Sequence, residues 1–340
     1  MKNTKKILAL LMAVIMLFAV TACSDDTASV SSTSSTASEP TKTAVTVKFA
    51  SLKGPTGIGA VNIVNGSSDS DSVIYESQLF ADPTAVVAEC IKGNMDIAAV
   101  PTNAAATIYK KTNGKYVALC LNTLGTLYVM ENGNTVTDIK SLNGKKVYST
   151  GQGAVPQYVF EYILAKNGVN CKIEYLAEHA ELTSQMIAGK VKIGVLPQPF
   201  VTQTSLKNTD VRIALDLTEE WDKIAAAEKN DSMLTMGCFV VKKEFADKNP
   251  EAVKQFIADF GESVKKVTSD PVAAGDAVQQ AGIMDSAAMV AKAIPNCNIT
   301  CIAGDEMKTI LSGFLKVLYE QEPTSVGGSL PDDAFYYAQK

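Results

Sequence analysis

Ser141-Leu142-Asn143-Gly144-Lys145-Lys146-Val147-Tyr148-Ser149-Thr150-Gly151-Gln152-Gly153 decides the fold of this chain. Asn143-Gly144 is a turn, Lys146 to Tyr148 starts a strand, and Ser149 to Gly153 is a small polar loop. An amphipathic helix follows from Ala154 to Lys166 and stops at Gly168. The unit is strand, polar loop, helix, and it recurs on both sides. Upstream, Val45 to Ala50 alternates as a strand, and Ser51 to Gly59 turns into a helix with Pro55 or Thr56 near its start. Ser72 to Phe80 reads as a strand, and Pro83 to Lys92 as a helix with Val86, Val87, Cys90 and Ile91 on one face. Asp96 to Val100 is an apolar strand of the buried parallel type, and Pro101-Thr102-Asn103 opens a helix running to Lys111. Downstream come a strand over Lys172 to Leu176, a helix over Glu178 to Ala188, and a buried strand from Val191 to Leu196 that feeds Pro197-Gln198-Pro199. This alternation predicts an α/β protein with mostly parallel sheets flanked by helices.

Two β-rich runs interrupt the rhythm, Tyr116 to Glu131 and Met233 to Lys242, and the first exceeds the length of one strand. Val211 to Asp216 is a short strand between them. After Asn249-Pro250-Glu251 the chain reads as mostly helical: Val253, Phe256, Ile257, Phe260 and Val264 recur at helical spacing, as do Met307, Ile310, Leu311, Phe314, Leu315 and Leu318. The expected organisation is two lobes, residues 45–123 plus 236–340 and residues 124–235. The two β-rich runs then serve as crossover strands and hinge, at 121–127 and 235–240.

Leu142 to Val147 with Gly151-Gln152-Gly153, the segment Lys192-Ile193-Gly194-Val195-Leu196-Pro197-Gln198-Pro199, and Val241 to Val253 together resemble the nitrate, sulfonate and taurine branch of solute-binding proteins, which also includes binders of thiamine pyrimidine precursors. The resemblance spans Val45 to Tyr337. It implies the two-lobed type II periplasmic binding protein fold, a small-molecule ligand held between the lobes, and delivery to the permease subunits of an ABC importer. In open α/β sheets ligands bind beyond the carboxyl ends of strands, where helix N-termini offer free N–H groups. The loops so placed carry Ser51, Lys53 and Thr56; Thr102 and Asn103; Asn122 and Thr123; Ser149, Thr150 and Gln152; and Gln198. Nearly all are small neutral hydrogen-bonding residues. They suit a compact polar solute, and the helix starts would accept an anion such as a sulfonate, taurine or nitrate without any arginine. A neutral heteroaromatic of the thiamine-precursor kind, or a sensory or adhesive role without transport, is the alternative.

Each candidate also has a structural reading. Ser149, Thr102 and Asn103 could be helix caps, Gly151 and Gly153 turn residues, and Gln198 a surface residue. Tyr75 and Tyr158 could stack on a planar ligand but suit packing better. Trp221, after Glu219 and Glu220, reads as an exposed-helix anchor.

The start of the chain looks like an export signal. Lys2, Lys5 and Lys6 precede an apolar run from Ile7 to Phe18, too short to span a bilayer comfortably, and small residues follow at Thr21 and Ala22. Val20-Thr21-Ala22-Cys23 resembles a bacterial lipobox, which implies removal of residues 1–22 and a lipid on Cys23. Residues 23–44 then form a Ser/Thr-rich tether of about 25 Å root-mean-square reach. The expected product is a monomer anchored through that lipid to the outer, extracytoplasmic face of the cell membrane. Residues 1–22 hold three lysines and no acid, so their removal moves the net charge from −5 to −8. Nucleic acid is therefore not an expected partner.

Catalysis and metal binding are not expected either. Beyond Cys23 the cysteines are Cys90, Cys120, Cys171, Cys238, Cys297 and Cys301, with no CxxC pair for zinc. They read as buried free thiols, although Cys297 and Cys301 could bridge. The single histidine, His179, reads as a surface residue at a helix start, and the single arginine is Arg212. A pyrimidine synthase of related fold consumes a histidine, and only His179 could serve so here. No Gly-x-Ser-x-Gly elbow or phosphate loop is present, and no cofactor is implied.

Overall fold

A computed structural model describes residues 44–338, so the export signal, Cys23 and nearly all of the tether lie outside the described residues. The described chain forms one compact unit containing two sheets. Its strands are β1 (Val45–Leu52), β2 (Val73–Phe80), β3 (Ile97–Pro101), β4 (Tyr116–Leu124), β5 (Leu127–Asn132), β6 (Lys146–Ser149), β7 (Lys172–Tyr175), β8 (Ile193–Pro197), β9 (Val211–Asp216), β10 (Thr235–Lys242) and β11 (Ile299–Ala303). The first sheet has the order β11-β4-β10-β3-β1-β2 and the second β7-β6-β8-β5-β9.

Both sheets are mixed: most strands run one way, as expected, and β5, β10 and β11 run against them. β1 pairs parallel with β2 and β3, and β6 pairs parallel with β7 and β8, as the strand-loop-helix units require. The long runs behave differently. β10 inserts antiparallel between β3 and β4, and β5 inserts antiparallel between β8 and β9. The Tyr116–Glu131 run is thus two strands, β4 in one sheet and β5 in the other, with Gly125 and Thr126 between them.

Local signals set most helix limits. Asp82 accepts from Thr84 N at 2.8 Å and caps the helix Pro83–Lys92, whose Val86 and Cys90 are buried. The helix Pro250–Ser269 lays Phe256 and Phe260 on the first sheet against Phe49 and Phe239, with ring centroids 4.8–5.6 Å apart across the Phe49–Phe239, Phe49–Phe256, Phe239–Phe256 and Phe239–Phe260 pairs. Edge-to-face contacts of this kind add to the burial of the rings themselves. Under the second sheet, Met130, Leu182, Met186, Leu196 and Val201 form a separate cluster.

One reading needs correction, that of Trp221, and two others are refined. The tail is not wholly helical: β11 pairs antiparallel with β4, Ile302 opposite Leu121 and Ala303 opposite Cys120. Trp221 is no exposed anchor but 1% exposed, its ring 4.9 Å from Tyr162 and 5.3 Å from Phe314, and its Nε1 donating to Ser232 O at 3.1 Å. Glu219 and Glu220 occupy the first turn of the helix Leu217–Glu228, where acids favour the helix dipole, while Trp221 faces inward. Cys297 and Cys301 do not bridge; all six described cysteines are free thiols.

Candidate functional site

At several of the candidate positions a strand end turns directly into a helix. The helices Thr102–Lys111 and Val155–Lys166 both start without a side-chain cap, so Thr102, Asn103 and Ser149 do not cap them. Gly151 and Gly153 take φ of 72° and 75°, a region that a side chain strains, and so let the loop after β6 fold back tightly.

These loops meet across the two sheets. Asn103 Nδ2 donates to Gly153 O at 3.3 Å and to Ser325 O at 3.1 Å, tying a helix start of the first sheet to the glycine loop of the second. Gln198 N donates to Thr126 O at 2.9 Å. Asn122 Oδ1 accepts from Thr123 Oγ1 at 3.0 Å and, more weakly, from Thr56 Oγ1 at 3.4 Å. Thr102 Oγ1 donates to Thr235 O at 3.1 Å. Ser51, Thr56, Thr102, Asn103, Asn122, Thr123, Ser149, Thr150 and Gln198 are all buried. Lys53 and Gln152 are exposed and lie outside this hydrogen-bonded set. Gln198 is not a surface residue: its Oε1 accepts from Thr202 N at 3.2 Å and Thr202 Oγ1 at 2.8 Å, which caps the unforeseen helix Phe200–Lys207. Tyr75 is held elsewhere, its hydroxyl donating to Asp259 at 2.6 Å, and Tyr158 packs against the core.

His179 also departs from its expected place on the surface. It is half-buried, with Nδ1 2.5 Å from Thr150 Oγ1 and its ring 5.2 Å from that of Phe200. Burial pushes its imidazole down to about 4, so the ring is neutral at neutral pH. Arg212 takes no part, since it pairs with Glu131 at 2.7 Å. The loop cluster is therefore built from neutral groups.

Five buried side-chain polar atoms have no hydrogen-bond partner among the described residues: Ser51 Oγ, Asn103 Oδ1, Asn122 Nδ2, Thr126 Oγ1 and Thr183 Oγ1. The first four sit at strand ends or at the crossover between sheets. Buried polar groups are normally paired, and each orphan costs about 1–3 kcal/mol, so four at one set of strand ends are the candidates for ligand contact. Thr126 escaped the sequence reading because Gly125-Thr126 looks like a hinge between strands. Removing one orphan gives a signature with opposite signs. Ser51→Ala is expected to leave the free protein as stable or up to about 1 kcal/mol more stable, while weakening solute binding. A urea melt and a titration check this; lower stability with unchanged binding would mean that the hydroxyl has a structural partner.

A groove of about 340 Å³ lies elsewhere, between Tyr162 and Lys166, the segment Glu228 to Ser232, and the helix Gly304–Gln321. It shares no residue with the strand-end cluster. Its Lys166 already contacts Glu228, and its Lys316 lies 4.0 Å from Glu320.

A family model described as NMT1/THI5 like matches residues 78–274, more than half of the chain. The chain belongs to the NMT1/THI5-like family. No curated protein matches the sequence significantly. Among solved structures, this NMT1/THI5-like chain is similar to an ABC transporter from Parabacteroides distasonis, with a TM-score of 0.74 and 25% identity over 87% of this chain and 99% of that one. It is also similar in fold to the periplasmic aliphatic sulphonate binding protein SsuA of Escherichia coli, with a TM-score of 0.68 and 12% identity over 87% and 92% of the two chains. The alkanesulfonate-binding protein SsuA of Xanthomonas axonopodis pv. citri, bound to MOPS, gives 0.63 and 13% over 87% and 96%. The family match and these neighbours bear out the two-lobed type II periplasmic binding protein fold and the branch that the sequence resembles. The two SsuA neighbours are described as sulfonate-binding proteins. In the NMT1/THI5-like chain no group of three or more His, Cys, Asp or Glu among the described residues could hold a metal ion, and no described helix is long and apolar enough to cross a membrane.

Proposed function

We propose that the protein is the extracytoplasmic solute-binding component of an ABC importer, which holds a small polar or anionic organic solute between two lobes and hands it to a permease. The observation that carries this reading is the set of four orphaned buried polar atoms, Ser51 Oγ, Asn103 Oδ1, Asn122 Nδ2 and Thr126 Oγ1, at strand ends where loops of the two sheets meet. The lobes are residues 45–123 plus 236–340 and residues 124–235, and they close by bending at the two crossovers. A solute that touches both lobes favours the closed state, because only differential contact shifts such an equilibrium. A permease can thereby distinguish loaded from empty receptor.

A thermal-shift screen of sulfonates, taurine, nitrate and aminopyrimidines tests the reading. A true ligand at about 100 times its dissociation constant adds about 2.7 kcal/mol of stability. If no compound of these classes shifts the melt, the proposal fails. The protein is anchored through lipid on Cys23, so Cys23→Ala is expected to move it from the membrane to the soluble fraction. Wild type that is already soluble and unmodified would refute the anchor.

A further inference from the structure

Asn103 is 2% exposed, and the direction of its side-chain amide is determined by its neighbours. Both N–H bonds of Nδ2 point at carbonyl oxygens, Gly153 O at 3.3 Å and Ser325 O at 3.1 Å. Turned over, the amide would set Oδ1 against those same two oxygens, acceptor against acceptor. The unpartnered atom is therefore Oδ1, which can only accept. The other orphans are less decisive. The Ser51 and Thr126 hydroxyls can donate or accept, and Asn122 contacts only the hydroxyls of Thr56 and Thr123, which can rotate to serve either face of its amide.

A buried acceptor is satisfied only by an N–H or O–H. An anion that offers only acceptor oxygens would instead place negative charge beside Oδ1 and leave it unpaired. No arginine offsets this, since Arg212 is engaged with Glu131, and Lys53 is exposed. Resting on the proposed function, the geometry points to Asn103 as a specificity-determining residue that requires an N–H or O–H donor on the solute. The ligand class is then amines, amides, amino-heterocycles or alcohols, and nitrate and simple alkanesulfonates are disfavoured. A site built to hydrogen-bond a donor rejects the analogue lacking it strongly, because its own polar group is left unpaired.

The test uses probe pairs that differ by an amino group, 4-aminopyrimidine against pyrimidine, which are both largely neutral, and taurine against ethanesulfonate, where the amine also adds a positive charge; each is titrated into wild type and Asn103→Ala. In a pair that binds, the amino member is expected to bind wild type at least about tenfold more tightly. Asn103→Ala is expected to erase most of that gap, with a melt of the free variant confirming that it is folded. The wild-type comparison stands even if the variant does not fold. Equal affinity within a pair overturns the inference and leaves the proposed function in place. Failure of all four probes to bind at millimolar concentration counts against both.

Discussion

Trp221→Ala is expected to lower the unfolding free energy by about 3–5 kcal/mol, the range for deleting a large buried aromatic. The ring is enclosed by Tyr162 from the helix Val155–Lys166 and Phe314 from the helix Gly304–Gln321, so its removal opens a void between three helices. It also strips Ser232 O and Ser232 Oγ of the indole donor, at 3.1 Å and 3.2 Å. An exposed tryptophan would behave otherwise: surface substitutions usually stay within about 0.5 kcal/mol. Urea unfolding followed by far-UV circular dichroism separates the two, since the variant has no tryptophan left to report. A midpoint within error of wild type at equal slope would return Trp221 to the surface.

The second large effect is expected at Gly237, where binding and stability should both suffer. Gly237 lies opposite Thr123 in the β10–β4 ladder, and a Cβ placed on it would sit 2.5 Å from Asn122 Oδ1 and 3.3 Å from Thr56 Oγ1. Asn122 must turn away to admit the methyl group, which breaks its bonds to Thr56 and Thr123 and redirects its free Nδ2. Gly237→Ala should therefore weaken solute binding by about 10- to 100-fold, equivalent to about 1.4–2.8 kcal/mol. Overpacking of this kind also costs about 1–3 kcal/mol of stability. Calorimetric titration with unchanged affinity would move the ligand away from the β4–β10 face.

What could be read in advance was local. The unit from Lys146 to Lys166 announces itself through a turn, a strand and an apolar helical face, and Pro83 to Lys92 through Pro at its start and Gly after its end. Strand direction was not legible, because it is β10 pairing with β3 and β4, not anything within Thr235–Lys242, that makes the first sheet mixed. β11 stayed hidden for another reason: Ile299 to Ala303 is a short edge strand with every residue half-buried, so no alternation marks it. Trp221 was misread because Glu219 and Glu220 precede it, while burial depends on which face of the helix it occupies. At the candidate site, following each strand into its loop found Ser51, Asn103 and Asn122, since loop position tracks topology. It also gathered Lys53 and Gln152, which topology places at strand ends but the side-chain packing leaves exposed. Thr126 required the two sheets to be assembled before it could be seen, and the neutral His179–Thr150 contact required β6 to be paired with β7.

The central claim is that a solute is held by groups of both lobes, and hydrogen exchange at saturating ligand tests it most directly. Binding across the lobes predicts slowed exchange in peptides from both, over residues 51–59 and 102–107 on one side and 149–157 on the other. Protection confined to the peptides of a single lobe, with saturation verified independently, would contradict it.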